Sequence, residues 1–188
     1  MRYIQAGTLQ LVELVNDAVA GGDVQTITDT ITRKLCRLIR SGAVELPAAL
    51  TAPCPDHYAR RLVHRDDGRG YSIIAMTWGP SQGTPIHDHA GMWCVEGVWA
   101  GRIEVEQYDL VDDGEHCCFV RQGLTEAGVG SAGCLIPPYE YHSIRNASDA
   151  DAAVSLHIYG GDMTRCNIYE PLGEGRFQRV SKPLSLDS

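Results

Sequence analysis

The stretch Gly83-Thr84-Pro85-Ile86-His87-Asp88-His89-Ala90-Gly91-Met92-Trp93-Cys94 sets two histidines two residues apart, shortly after a run, Tyr71–Trp78, that reads as a buried strand. On an extended backbone residues i and i+2 point to the same face, so the imidazoles of His87 and His89 can converge on one point. A third histidine, His142, lies well downstream in Pro137-Pro138-Tyr139-Glu140-Tyr141-His142-Ser143-Ile144-Arg145-Asn146. A barrel can bring that second stretch beside the first. Three imidazoles on one barrel wall suit a divalent first-row metal, and the spacing alone permits iron, zinc, copper or manganese. His87, His89 and His142 are the candidate metal ligands.

Working outward, the chain divides into a helical front and a strand-rich remainder. Thr8 to about Ala20 and Asp23 to about Arg40 read as two helices; in the second, Ile27, Ile31, Leu35 and Leu38 recur at helical spacing behind Asp23 as N-cap. Gly21-Gly22 and Ser41-Gly42 punctuate them. From about residue 58 the pattern turns to short strands between Gly, Pro and Asp turns: Tyr71–Trp78, Trp93–Trp99, Arg102–Leu110, Cys117–Val120, Cys134–Ile136, Tyr141–Arg145 and Ala152–Tyr159. Such a series with 20 glycines favours a mainly β sandwich or barrel over an α/β fold. The expected organisation is one domain over 1–188: a helical cover at 1–45, a barrel at 58–170, and a tail at 177–188 that frays.

Composition removes whole classes of function. The chain has 188 residues, 16 Lys+Arg against 24 Asp+Glu and a formal charge of -8, with 44% hydrophobic and 21% charged residues. That is an ordinary globular mix, able to bury a core without staples. No basic field exists to meet nucleic acid or an anionic membrane. No apolar run approaches the roughly 18 residues that span a bilayer, and the N-terminus lacks a secretory pattern, so a soluble, cytoplasmic protein is expected. The seven cysteines, at 36, 54, 94, 117, 118, 134 and 166, form no C-x-x-C pair and no regular framework, so most read as small buried side chains.

The two histidine stretches resemble the two halves of the cupin signature, which implies a single jelly-roll-like cupin β-barrel behind the N-terminal helices. A cupin ordinarily adds a glutamate a few residues after H-x-H; here Cys94 stands in its place and Glu96 falls two residues late. That departure is itself a resemblance. Tyr58-Ala59-Arg60-Arg61-Leu62-Val63, Trp78-Gly79, His87-Asp88-His89 with Cys94, and Ser155-Leu156-His157-Ile158-Tyr159 together are similar to cysteine dioxygenase, from Tyr58 to about Cys166.

The resemblance implies Fe(II) on His87, His89 and His142, no organic cofactor, and a small thiol and O2 as partners. It implies that Arg60 and Tyr58 hold the substrate carboxylate, as a guanidinium fork can do in two parallel hydrogen bonds. Relatives acting on 3-mercaptopropionate generally carry glutamine at the Arg60 position, which tilts the choice toward cysteine. Ser155, His157 and Tyr159 alternate along one strand and share a face; family members use the matching residues as a Ser-to-His-to-Tyr relay. Cys94 and Tyr159 match positions that form a thioether crosslink in well-known members. For both Cys94 and His89 to face inward, the chain must bend near Ala90-Gly91. Trp78 reads as pocket wall or plain core. The rival readings are dioxygenation of another thiol carboxylate, a non-catalytic metal-binding cupin sensor, and a zinc cupin isomerase; a hydrolase triad lacks its G-x-S-x-G elbow. A monomer or weak homo-oligomer is expected. His57, His64 and His116 have no assigned role.

Overall fold

The computed structural model describes residues 6–188. Helices α1 (Leu9–Val19), α2 (Val24–Arg40) and a short α3 (Ala48–Thr51) precede eleven strands: β1 (Ala59–Asp66), β2 (Tyr71–Trp78), β3 (Ile86–His87), β4 (Cys94–Ala100), β5 (Arg102–Asp113), β6 (Cys117–Gly128), β7 (Ala132–Leu135), β8 (His142–Asn146), β9 (Ala153–Tyr159), β10 (Arg165–Gly173) and β11 (Arg176–Pro183). Every strand pairing is antiparallel. One sheet runs β1-β2-β9-β4-β7, and the other closes on itself through β10-β11-β6-β5-β8-β3. This is the mainly β cupin barrel with N-terminal helices that the motifs imply.

The helices form for the reasons legible in their sequence. Asp23 caps α2 by accepting from the Thr26 amide at 2.8 Å, satisfying one of the orphan N–H groups of its first turn. Ile31, Leu35 and Ile39 then share one face and are buried with Leu11 and Val15 of α1 against the outward row of β4 and β9, Val95, Leu156 and Ile158. Gly97 allows that approach: a β-carbon there would stand 2.7 Å from Leu35 Cδ2. The helices thus cover the first sheet, and its opposite face turns inward to His87, His89 and His142. Among the described residues no helix is long and apolar enough to cross a membrane. None of the seven cysteines is in a disulfide.

Three expectations are corrected. Strands β10 and β11 go beyond the strands expected from the sequence, and residues 177–183 lie in β11 instead of fraying. Beyond them the Leu184 amide donates to Thr164 O at 2.8 Å and the Asp187 amide to Arg60 O at 2.7 Å, so the tail is tied across the barrel. Strand β6 also runs on to Gly128, because its polar second half pairs with β5 as a solvent-facing ribbon, which needs no apolar alternation.

Asn146 explains why an asparagine closes the second histidine stretch. It is buried, and its Nδ2 donates to Trp78 O at 3.2 Å, Gly79 O at 3.0 Å and Asp151 O at 2.7 Å, while its Oδ1 accepts from the Ser148 amide at 3.0 Å. Asn146→Ala leaves those carbonyls unpaired and should lower stability by about 2–3 kcal/mol, read as a fall in the denaturant midpoint at unchanged slope. A midpoint within experimental scatter of the parent would deny the clamp.

Candidate metal centre

The three histidines meet inside the barrel. His87 in β3 is the direct cross-strand partner of His142 in β8, and His89 follows where the chain leaves β3. One ligand nitrogen of each lies within 4.8 Å of the other two. Each ring is oriented through its other nitrogen. His87 Nδ1 donates to Pro85 O at 3.1 Å and His142 Nδ1 to Glu140 O at 3.0 Å. A carbonyl oxygen can only accept, so Nδ1 carries a proton, and in the neutral ring Nε2 keeps its lone pair. His89 Nδ1 is 3.1 Å from the Glu140 carboxylate, which also accepts the His89 amide at 2.8 Å. The Nε2 atoms of His89 and His142 are buried without a hydrogen-bond partner. Converging imidazole nitrogens, two of them orphaned, with tethered Nδ1 atoms are the donor set a divalent metal requires. The electrostatics favour the neutral rings needed for ligation at His87 and His89: burial, then the charge of His142, holds His87 well below its ordinary value and pulls His89 down to about 3.

Asp88, between the paired histidines, had no expected role. Its carboxylate accepts from the Asn167 amide at 2.9 Å, Asn167 Nδ2 at 2.7 Å, the Ala90 amide at 3.1 Å and the Tyr169 hydroxyl at 3.3 Å, pinning the histidine segment to β10. Gly83 permits the same segment to lie against β8, since a β-carbon there would meet Arg145 Cβ at 2.7 Å. After His89 the chain turns through Ala90 (φ 53) and Gly91 (φ 80), the bend that lets Cys94 also face inward.

The first sheet supplies the opposite wall. Its register sets Cys94 against Tyr159, Glu96 against His157 and Val98 against Ser155. Directly opposed residues of an antiparallel pair bring their β-carbons to about 4.5–5.5 Å, within reach of side-chain contact. Trp78 Nε1 donates to Ser155 Oγ at 2.8 Å, and Ser155 Oγ lies 2.7 Å from His157 Nε2. Indole N–H can only donate, so the serine oxygen accepts from Trp78 and keeps its own proton to offer; given to Nε2, it would place the imidazole proton on Nδ1. That nitrogen is 3.1 Å from Glu96 Oε1, off the straight line of a hydrogen bond. Hydrogen bonds thus link Trp78, Ser155 and His157, and Glu96 stands beside the far ring nitrogen. Tyr159 stacks its ring on His157 with centroids 6.1 Å apart.

Glu96, set aside in the sequence for falling two residues late, is inside the centre. It is 8% exposed, and its Oε1 is 3.4 Å from His142 Nε2 and 4.0 Å from His89 Nε2, with the Cys94 thiol 3.8 Å away. Burial pushes its carboxyl up, but the charges of His142 and His157 outweigh burial and hold it well below the usual carboxylate range. Glu96 in turn raises His142, against the opposing pull of burial. Cys94 and Tyr159 both keep their protons: burial first, then Glu96 for the thiol and Cys94 for the phenol, raises each well above its ordinary value. A cross-strand register would have revealed Glu96, since pairing Cys94 with Tyr159 in antiparallel order obliges Glu96 to face His157. Glu140 could have been found from its i, i+2 relation to His142.

A narrow cavity of about 30 Å³, room for about one water, opens beside the histidines between Tyr58, Arg60, His87, His157, Tyr159 and Leu184. Tyr58 and Arg60 thus reach the centre together, with Tyr58 stacked on Trp78 at 4.8 Å. Arg60 is 6% exposed and donates to Ser185 O at 3.0 Å and Met163 O at 3.2 Å, which leaves part of its five-donor fork for a ligand. A larger cavity of about 270 Å³ lies on the other side of Glu96, between Val98, Ile103, Gln107, Ala127 and Leu135.

A family model described as "Cysteine dioxygenase type I" matches residues 8–171. The chain belongs to the cysteine dioxygenase type I family. Among curated relatives, cysteine dioxygenase type 1 of Danio rerio is 24% identical over 113 residues, covering 60% of this chain and 56% of its own length, and that of Rattus norvegicus is 23% identical over the same shares. The chain thus spans about half the length of the curated relatives it matches. Among solved structures, TT1209 from Thermus thermophilus aligns with a TM-score of 0.47 and 18% identity, over 62% of this chain and 94% of that one. In cysteine dioxygenase type I terms, this chain has a histidine cluster fit for the non-haem iron that the family typically uses. The tail that lies over Arg60 falls outside the matched span.

Proposed function

We propose that this protein is an Fe(II)-dependent thiol dioxygenase that adds both atoms of O2 to the sulfur of L-cysteine, giving cysteine sulfinic acid. The balance is closed: one thiol and one dioxygen give one sulfinic acid, with no external reductant. The observation that carries the reading is the meeting of His87, His89 and His142 beside a cavity that His87, Tyr159 and Arg60 line together. When bound to His87, His89 and His142, Fe(II) supplies a Lewis acid that favours the thiolate and a redox centre for dioxygen. The remaining roles belong to the chain. Arg60 and Tyr58 would hold the substrate carboxylate, orienting the sulfur toward the histidines. Tyr159, kept protonated, would donate a hydrogen bond to the reactants, and Ser155 and His157 would fix that wall of the cavity. Cys94 opposite Tyr159 is placed for a thioether bond between sulfur and ring. With the cavity this narrow, the tail strand over Arg60 must yield to admit a substrate.

The test is oxygen uptake by iron-loaded protein against a panel of small thiols, with the product identified by mass. Cysteine should drive the fastest uptake, with a product heavier by two oxygen atoms. Faster turnover of 3-mercaptopropionate would move the reading to another thiol carboxylate. No thiol-dependent uptake would leave a metal-binding sensor as the better account.

A further inference from the structure

We propose that Glu96 is a fourth protein ligand, so that the metal is held by three histidines and one carboxylate. Three buried imidazole nitrogens surround one carboxylate oxygen. Glu96 Oε1 lies 3.4 Å from His142 Nε2, 4.0 Å from His89 Nε2 and 3.1 Å from His157 Nδ1, and none of these nitrogens has a hydrogen-bond partner. Two donors on a common first-row ion, each at about 2.0–2.2 Å, are separated by roughly 3–4 Å. The separations of Glu96 Oε1 from His142 and His89 fall in that interval. His89 also belongs to a second cluster of ligand atoms, with Cys94 and Glu96, lying within 4.8 Å of one another. The two clusters share His89, which links Glu96 to the histidine set.

The surroundings of Glu96 favour ligation over an ordinary ion pair. No lysine or arginine approaches it among the described salt bridges, where its partners are His89, His142 and His157. A buried carboxylate is costly unless a cation sits with it. His157 then has a supporting task. With its Nε2 fixed by Ser155 and Trp78, it offers Nδ1–H to the carboxylate and steers the oxygen toward the ion, as partners of ligating carboxylates commonly do. His157 is therefore a positioning residue for Glu96.

Resting on the dioxygenase reading, this assignment bears on how substrate binds. A fourth protein donor would leave less room on the ion for the two reactants. A thiol carboxylate would be held by its sulfur at one end and Arg60 at the other, with its amine unligated.

The test needs no turnover. Crystals of the full chain loaded with Zn(II), located by its anomalous scattering, should show a Glu96 oxygen at about 2.0–2.2 Å from the ion beside three imidazole nitrogens. A water in that position, with Glu96 left against His157, would overturn the proposal. Glu96→Gln keeps the size and an acceptor for His157 but not the charge. By competition with a chelator it should weaken Zn(II) at least about 100-fold, beyond the usual range for a residue that only supports a ligand. A loss of about tenfold or less would also overturn it. Should Glu96 ligate the ion in a protein that consumes no oxygen with any thiol, the dioxygenase reading falls and the fourth ligand stands.

Discussion

His142→Ala should strip the protein of its metal. Wild-type protein reconstituted with Fe(II) under anaerobic conditions is expected to retain about one ion per chain after desalting; the variant should retain less than about a tenth of that, because losing a ligand costs more than the 10–100-fold typical of losing a supporting partner. His142 is fully buried in β8 and pairs with both His87 and Gln107, so a cavity could lower stability by itself. His142→Gln separates the two causes by filling the space without an imidazole. The wild-type melting temperature should rise with added metal and that of either variant should not, since an ion that binds only the folded state stabilises it by mass action. Near-full occupancy by elemental analysis in His142→Gln would contradict the three-histidine assignment.

Arg60→Gln should reduce kcat/KM for cysteine by about 10²–10³-fold, the scale of removing one partner from a desolvated, hydrogen-bonded charge pair, about 3–4 kcal/mol. Metal content should be unchanged, because no histidine of the centre depends on this side chain. Arg60 also anchors the tail through Ser185 O, and that role would be lost for every substrate alike. Cysteamine, a thiol without a carboxylate, tells the two apart. If Arg60 recognises carboxylate, the variant should turn over cysteamine as the parent does; equal losses on both thiols would reduce Arg60 to a structural anchor.

The histidines were legible because their geometry is local. An H-x-H on extended chain puts two rings on one face whatever the fold, and the barrel supplied only the meeting with His142. The N-cap at Asp23 and the apolar stripe of α2 are local for the same reason. Strands β10 and β11 were not legible. They carry Pro171 and Gly173 and form a largely exposed ribbon, so no alternation marks them. The tail looks free to fray in the sequence because its hydrogen bonds are made to Thr164 and Arg60, distant along the chain.

Glu96 marks the boundary between the two kinds of knowledge. Counted along the chain from His89 it falls past the place a carboxylate should occupy. Counted across the sheet it stands opposite His157, two residues along the same inward face from Cys94. The sequence by itself marked the two long helices, most of the strands and the three converging histidines, since these follow from periodicity and from residue types at fixed spacing, and its resemblance to cupins implied the barrel. Only the tertiary structure decided what surrounds the triad: the Glu140 and Asp88 carboxylates that orient it, the tail over Arg60, and the buried charge of Glu96. Those depend on register between strands far apart in the chain, which no local spacing encodes.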